Sequence, residues 1–196
     1  MRLLAFVDVH GNHAALSQLL RKAKDADVLV SAGDLSWFGQ GFDATLHALA
    51  KTKKQVILVH GNHETSAEMR KACSPFENLH FIHKQHLVVD GVLFLGFGGG
   101  GFAQREPDFE EVEPLFRESA REHEKVVLVT HAPPYLTRLD RIGHDHCGNR
   151  SFIPILKSGL VDLLVCGHFH DNEGEEDRIG NALAVNPGPK GRLLDL

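Results

Sequence analysis

The chain has 196 residues, 42% hydrophobic and 24% charged, with a formal net charge of −5 when histidine is neutral. At roughly 150 residues per domain this predicts one domain over 1–196, long enough to bury about 70% of its unfolded surface without staples. The acidic balance argues against an extended nucleic-acid footprint, which needs a basic face to displace counterions; a small anion at a local positive centre stays compatible.

The chain opens on "LLAFV" (3–7), which runs into Asp8. That stretch is too short for a secretory h-region or a membrane span and reads as a first strand. "HAALSQLLRKAKDA" then sets Ala15, Leu16, Leu19, Leu20 and Ala23 on one helical face. "VLVSA" (28–32), helical "FDATLHALAKT", "VILV" (56–59) and helical "ETSAEMRKAC" follow, with Glu64 read as opening the last. Between 79 and 97, "LHFIH", "HLVVD" and "VLFLGF" read as adjacent strands without helices. "GFGGGG" (96–101) reads as a rim loop, because "FAQREP" and no helix follows, so the dinucleotide-turn requirement fails.

"FEEVEPLFRESAREHEK" places Phe109, Val112, Phe116 and Ala120 on one stripe, although Pro114 suits a first turn better than a helix middle. "VVLV" (126–129) and "VDLLV" (161–165) complete five apolar runs, and the tail "DRIGNALAVNPGPKGRLLDL" reads as short antiparallel strands. The runs lack strict alternation, which fits strands buried on both faces. Alternating strand and helix implies largely parallel pairing with right-handed crossovers. The expected class is α/β, with two mixed sheets face to face and helices outside. Cys73, Cys147 and Cys166 are scattered and odd in number, which predicts no disulfide framework and favours a reducing, cytoplasmic setting.

The strand ends carry the chemistry. "VDVHGN", "SAGDLS", "LVHGNHE", "LVTHAPP" and "VCGHFH" each finish an apolar run in Asp, His or Asn. Sites in open α/β sheets lie beyond the carboxyl ends of the strands. Five runs would therefore deliver Asp8, His10, Asp34, Asn62, His63, His131, His168 and His170 to one rim. A period of two would send both members of Asp8/His10, and of His168/His170, to the same side. Carboxylate oxygen with imidazole nitrogen suits Mn, Fe or Zn. With His63 set aside, the seven potential ligands exceed one tetrahedral zinc and match two cations about 3.5–4 Å apart with a shared carboxylate.

In this order, D-x-H (Asp8/His10), G-D (Gly33-Asp34), G-N-H-E (61–64), His131 and G-H-x-H (167–170) resemble the signature of calcineurin-like metallophosphoesterases, and of their small single-domain phosphodiesterase type. The resemblance spans residues 8–170. It implies a four-layer α-β-β-α sandwich. It also implies that Asp8, His10 and His170 bind a first metal, that Asn62, His131 and His168 bind a second, and that Asp34 bridges them. His63 would act as the catalytic acid or electrostatic aid facing substrate. Asn62 and Asn12 would also face the phosphate. The implied cofactors are two divalent ions, manganese first, with iron, zinc or nickel also accommodated. Offset by Asp8, Asp34 and a bridging hydroxide, two such ions leave a local positive centre that attracts a phosphate and directs in-line attack on it.

The protein phosphatases of this family carry G-D-x-V-D-R-G, whereas this chain reads "GDLSWFG" without that arginine. A monoester dianion thus lacks a partner, and small phosphodiesters, cyclic nucleotides among them, are the expected substrates, unless Arg138, Arg141 or Arg150 compensates. The alternatives are a phosphomonoesterase or protein phosphatase of the same family, and a non-enzymatic binding module on the same fold. No membrane partner is expected and the oligomeric state stays open. Trp37 and Phe38, a few residues after Asp34, are read as packing residues in preference to a stacking surface. His60 is read as lying behind the site. His144 and His146 are loop residues with a possible reach to substrate.

Overall fold

The computed structural model describes residues 1–196 as two sheets packed face to face, with helices on both outer sides. The first half of the chain builds β1 (Arg2–Phe6), α1 (His13–Lys22), β2 (Val28–Ser31), α2 (Phe42–Ala50), β3 (Gln55–Leu58), α3 (Ser66–Cys73) and β4 (Leu79–Phe81). The second half builds β5 (Gln85–Val89), β6 (Val92–Phe97), α4 (Pro107–Arg121), β7 (Lys125–Thr130), the short pair β8 (Arg141–Ile142) and β9 (Asp145–His146), and α5 (Ile153–Lys157). It ends with β10 (Leu163–Val165), β11 (Glu176–Ile179), β12 (Ala182–Val185) and β13 (Arg192–Asp195). One sheet has the order β13-β1-β2-β3-β4 and the other β11-β12-β10-β7-β6-β5.

Period-two geometry explains why the strands read as unbroken apolar runs. Leu3, Ala5, Val28, Val30 and Ile57 point between the sheets, where they meet Phe94, Val127, Val129 and Val165. Their alternates Leu4, Phe6, Leu29, Val56 and Leu58 point outward, onto Leu16, Leu19, Leu46, Leu49 and Met69 of the helices. A third cluster joins Leu93, Leu95 and Leu128 to Phe109 and Phe116 of α4 and to Ile155 of α5. Three buried layers between four structural ones follow directly. Each fully buried Leu or Phe contributes about 1.5–3 kcal/mol relative to exposure.

The three strand-like segments between 79 and 97 do not sit together. β4 pairs in parallel with β3 in the first sheet, and the chain then crosses to the second sheet as the antiparallel pair β5–β6. The tail also divides. β11 and β12 pair antiparallel, β12 runs parallel to β10, and β13 returns antiparallel to β1. α4 begins on Pro107 and continues through Pro114. Pro114 lies on the exposed face while Phe109, Phe116 and Ala120 face the core, so the carbonyl it leaves unbonded faces water. No helix is long and apolar enough to cross a membrane. The three cysteines are free, and Cys73 and Cys166 are buried.

Candidate metal centre

The carboxyl ends of β1, β2, β3, β7 and β10 meet at one end of the sandwich, three from the first sheet and two from the second. The side chains there are not aimed by strand geometry. Asp8 (φ 56°), His10 (φ 47°), Asp34 (φ 52°) and His168 (φ 72°) all lie beyond their strands with left-handed backbones. Non-glycine residues enter that region at a cost of about 1–3 kcal/mol each, and such strain clusters at functional sites. The period-two expectation for Asp8/His10 and His168/His170 is therefore corrected. The pairs converge because their loops coil, and His170 already opens a short 3₁₀ turn (His170–Asn172).

One group of donors is Asp8, His10 and His170 with Asp34. His10 Nε2 lies 4.0 Å from Asp8 Oδ1, 3.8 Å from Asp34 Oδ2 and 3.2 Å from His170 Nε2; His170 Nε2 lies 3.9 Å from Asp8 Oδ1. The His10 Nδ1–H donates to the Ser36 carbonyl at 3.0 Å, so its Nε2 lone pair points into the group. Asp8 Oδ2 accepts from the His168 backbone N–H at 3.0 Å, while Asp8 Oδ1 is buried without a partner.

A second group surrounds His131. Its Nδ1–H donates to the Ala32 carbonyl at 2.9 Å, and its Nε2 faces Asn62 Oδ1 at 3.0 Å and Asp34 Oδ2 at 3.4 Å. With only oxygen acceptors around it, that nitrogen must carry either a proton or a cation. His168 packs edge-on to His131 with ring centroids 5.2 Å apart, and its Nε2 is buried without a partner. Asp34 sits between the groups. Its Oδ1 accepts the His63 backbone N–H at 3.0 Å, leaving Oδ2 to face both. A Cβ at Gly61 would collide with this carboxylate, so only glycine lets the Asn62 loop pass.

The electrostatics divide the two aspartates. Burial pushes Asp34 up, but the hydrogen bond and charge of His131 and the His63 contacts outweigh it and hold Asp34 at about 2. Burial raises Asp8, His131 opposes, and the Asp34 charge adds to the rise. Burial pulls His131 down, yet Asp34 and Asp8 override it and lift His131 to about 9. Burial keeps His168 at about 4.

His63 lies 3.8 Å from Asp34 Oδ2, stacks on Trp37 at 4.7 Å with 30° between planes, and meets Phe38 edge-on at 4.2 Å. Trp37 and Phe38 are 49% and 70% exposed, which overturns the packing reading and makes them an open aromatic wall. Asn12 caps α1, its Oδ1 accepting from Ala14 and Ala15 at 3.0 Å; it also lines a 250 Å³ cavity with Asp8, His10 and His170, so only its amide NH₂ is free. Glu64 does not open α3, which is capped by a Thr65–Glu68 box. It is buried and accepts both the N–H and the hydroxyl of Ser36 at 2.7 Å. His60 lies behind the loop, beside His83. His146 is tied to Asp140 at 2.6 Å.

Two nominated ligands thus carry buried, unpartnered lone pairs, and neighbouring donor atoms stand 3.0–4.0 Å apart. Metal–ligand bonds of about 2.0–2.2 Å place adjacent donors at a similar separation, so a divalent cation fits this donor set. Fold and site define a metal-dependent phosphoesterase class, and the chain belongs to the calcineurin-like phosphoesterase family, whose model matches residues 1–172. That family works with divalent metal ions. The chain is 31% identical over 202 residues to an uncharacterized protein of Methanocaldococcus jannaschii, covering 97% of this chain and 89% of that one. Among solved structures it is similar to a protein of Thermus thermophilus, with a TM-score of 0.77, 18% identity, and 99% and 93% of the two chains covered. It is also similar to a dimetal phosphatase of Danio rerio, with a TM-score of 0.66, 13% identity, and 94% and 86% covered.

Proposed function

We propose that this chain hydrolyses small phosphodiesters at a centre that holds two divalent cations, manganese first among them. Asp8, His10 and His170 would hold one, Asn62, His131 and His168 the other, and Asp34 both. The observation that carries this reading is the position of Asp34 Oδ2, 3.8 Å from His10 Nε2 and 3.4 Å from His131 Nε2. When bound, such cations supply an acidified water as nucleophile and offset the charge on phosphoryl oxygens during in-line displacement.

The protein's own groups do the rest. The Ser36 and Ala32 carbonyls fix the His10 and His131 tautomers, so neither ring swings on loading. His63, held against Asp34 and Trp37, gives a proton to the leaving oxygen, a contribution of about 10²–10⁴-fold. The free amide NH₂ of Asn12 donates to a phosphate oxygen.

The chemistry around the site favours diesters. No arginine lines the cavities at His10 and His63. The Arg150 guanidinium lies over the Tyr135 ring, 3.4 Å from its centroid. A monoester dianion would lack a guanidinium, whereas a diester monoanion needs less compensation. The test is hydrolysis of bis-p-nitrophenyl phosphate against p-nitrophenyl phosphate, with and without Mn²⁺, and with His63→Ala. The diester should be preferred, Mn²⁺ should be required, and His63→Ala should lose about 10²-fold or more. A folded, manganese-loaded protein inactive on both esters would end the reading.

A further inference from the structure

A groove of about 780 Å³ opens beside His63, between α2 and α3. Phe42 and Leu46 form one wall, Ala72 and Phe76 the other, and Phe38 lines it beside His63, which its ring meets edge-on at 4.2 Å. The size falls within the roughly 300–1,000 Å³ of small-molecule sites. His63 belongs to both groove and metal centre, because its ring also stands 3.8 Å from Asp34 Oδ2. His63 thus stands between the groove and Asp34, where a leaving oxygen would take its proton.

The rim decides what fits. Asp43, His47, Glu68 and Lys71 edge the apolar walls, so both signs of charge face one slot. The Glu68 Oε2 already holds the Thr65 backbone and hydroxyl, which leaves Oε1 free. His47 donates its Nδ1–H to the Asp43 carbonyl at 2.8 Å, which leaves Nε2 free. An alkyl chain would cover these groups and return no hydrogen bonds, a cost for each one desolvated. A flat heteroaromatic ring stacks on phenyl faces and offers N–H donors to the carboxylates and ring acceptors to Lys71.

We infer that this groove receives the nucleobase of a nucleotide phosphodiester and so sets the substrate class of the centre; the inference rests on the phosphoesterase reading. Trp37 is the one tryptophan of the chain and stacks on His63, so its fluorescence reports on the groove mouth. The manganese-loaded protein is titrated with adenosine 5′-monophosphate and with methyl phosphate. Adenosine monophosphate should bind about tenfold or more tightly, as expected for base–aromatic stacking. That gap should shrink in Phe76→Ala and in Ala72→Phe, which fills the slot without adding an indole. Equal affinities in the wild type, or a gap untouched in both folded variants, would overturn the inference. Turnover of thymidine 5′-(p-nitrophenyl phosphate) and methyl p-nitrophenyl phosphate separates the two readings. An affinity gap without turnover of either supports the groove and ends the hydrolase, whereas turnover of both with equal affinities does the reverse.

Discussion

The backbone N–H of His168, beyond β10, donates to Asp8 Oδ2, beyond β1, at 3.0 Å. This bond joins the two sheets at the site. It fixes one oxygen of Asp8 and leaves the other buried and unpartnered. A carboxylate so held costs stability until a cation meets it.

Asp8→Asn separates those two roles. In metal-free protein it removes a buried charge crowded by Asp34, so stability should be unchanged or rise by about 1 kcal/mol. The stabilisation gained on adding Mn²⁺ should largely vanish. Thermal melting with and without Mn²⁺ reads both.

Glu64 acts at one remove. It grips Ser36 twice at 2.7 Å, and the Ser36 carbonyl sets the His10 ring. Glu64→Ala should lower manganese affinity by about 10–100-fold, the usual effect of losing a group that orients a ligand. Glu64→Gln should recover part of it, because its amide oxygen can still accept from Ser36. Isothermal titration checks the order of the three proteins.

Acid should act through His60, which is buried, and its half-buried neighbour His83. Burial holds both His60 and His83 at about 4, below the ordinary 6.5. As pH falls from 6.5 towards 4, the unfolded chain takes up protons that the folded chain refuses, so stability falls. For His60 alone the loss at pH 5 should be about 2 kcal/mol. Urea unfolding of metal-free protein at pH 7 and pH 5 measures the total, and His60→Gln should shrink the difference by about 2 kcal/mol, the rest staying with His83 and His168.

His131 works in the opposite direction. Asp34 and Asp8 lift it to about 9 against its burial. In metal-free protein its contribution is full below pH 6.5 and fades as pH rises through 9. A cation must displace the Nε2 proton, so Mn²⁺ binding at pH 7 should release about one proton from His131. Calorimetry in two buffers of different ionisation enthalpy counts it.

The strand-end residues made the candidate ligand set legible, because an apolar run that stops in Asp, His or Asn is an unusual ending. The four layers were legible too, since continuous Val and Leu runs demand cover on both faces. Other features left no such mark. Ser36 and Ala32 act through backbone carbonyls, which carry no side-chain signature. The left-handed turns at Asp8, His10, Asp34 and His168 fall on Asp and His, types that enter that region more readily than most but usually stay out of it, so residue type alone does not announce them. β4 and β5 lie close in sequence but in different sheets, because β4 finds a free edge beside β3 and β5 finds β6. Trp37 and Phe38 lie three and four residues beyond Asp34, and only the open loop leaves them exposed.

Anomalous diffraction from crystals grown with excess Mn²⁺ tests the shared Asp34 most directly. Two anomalous maxima about 3.5–4 Å apart, with Asp34 bound to both and His10 and His131 on opposite sides, are predicted. A single maximum, or two that do not share Asp34, would contradict it.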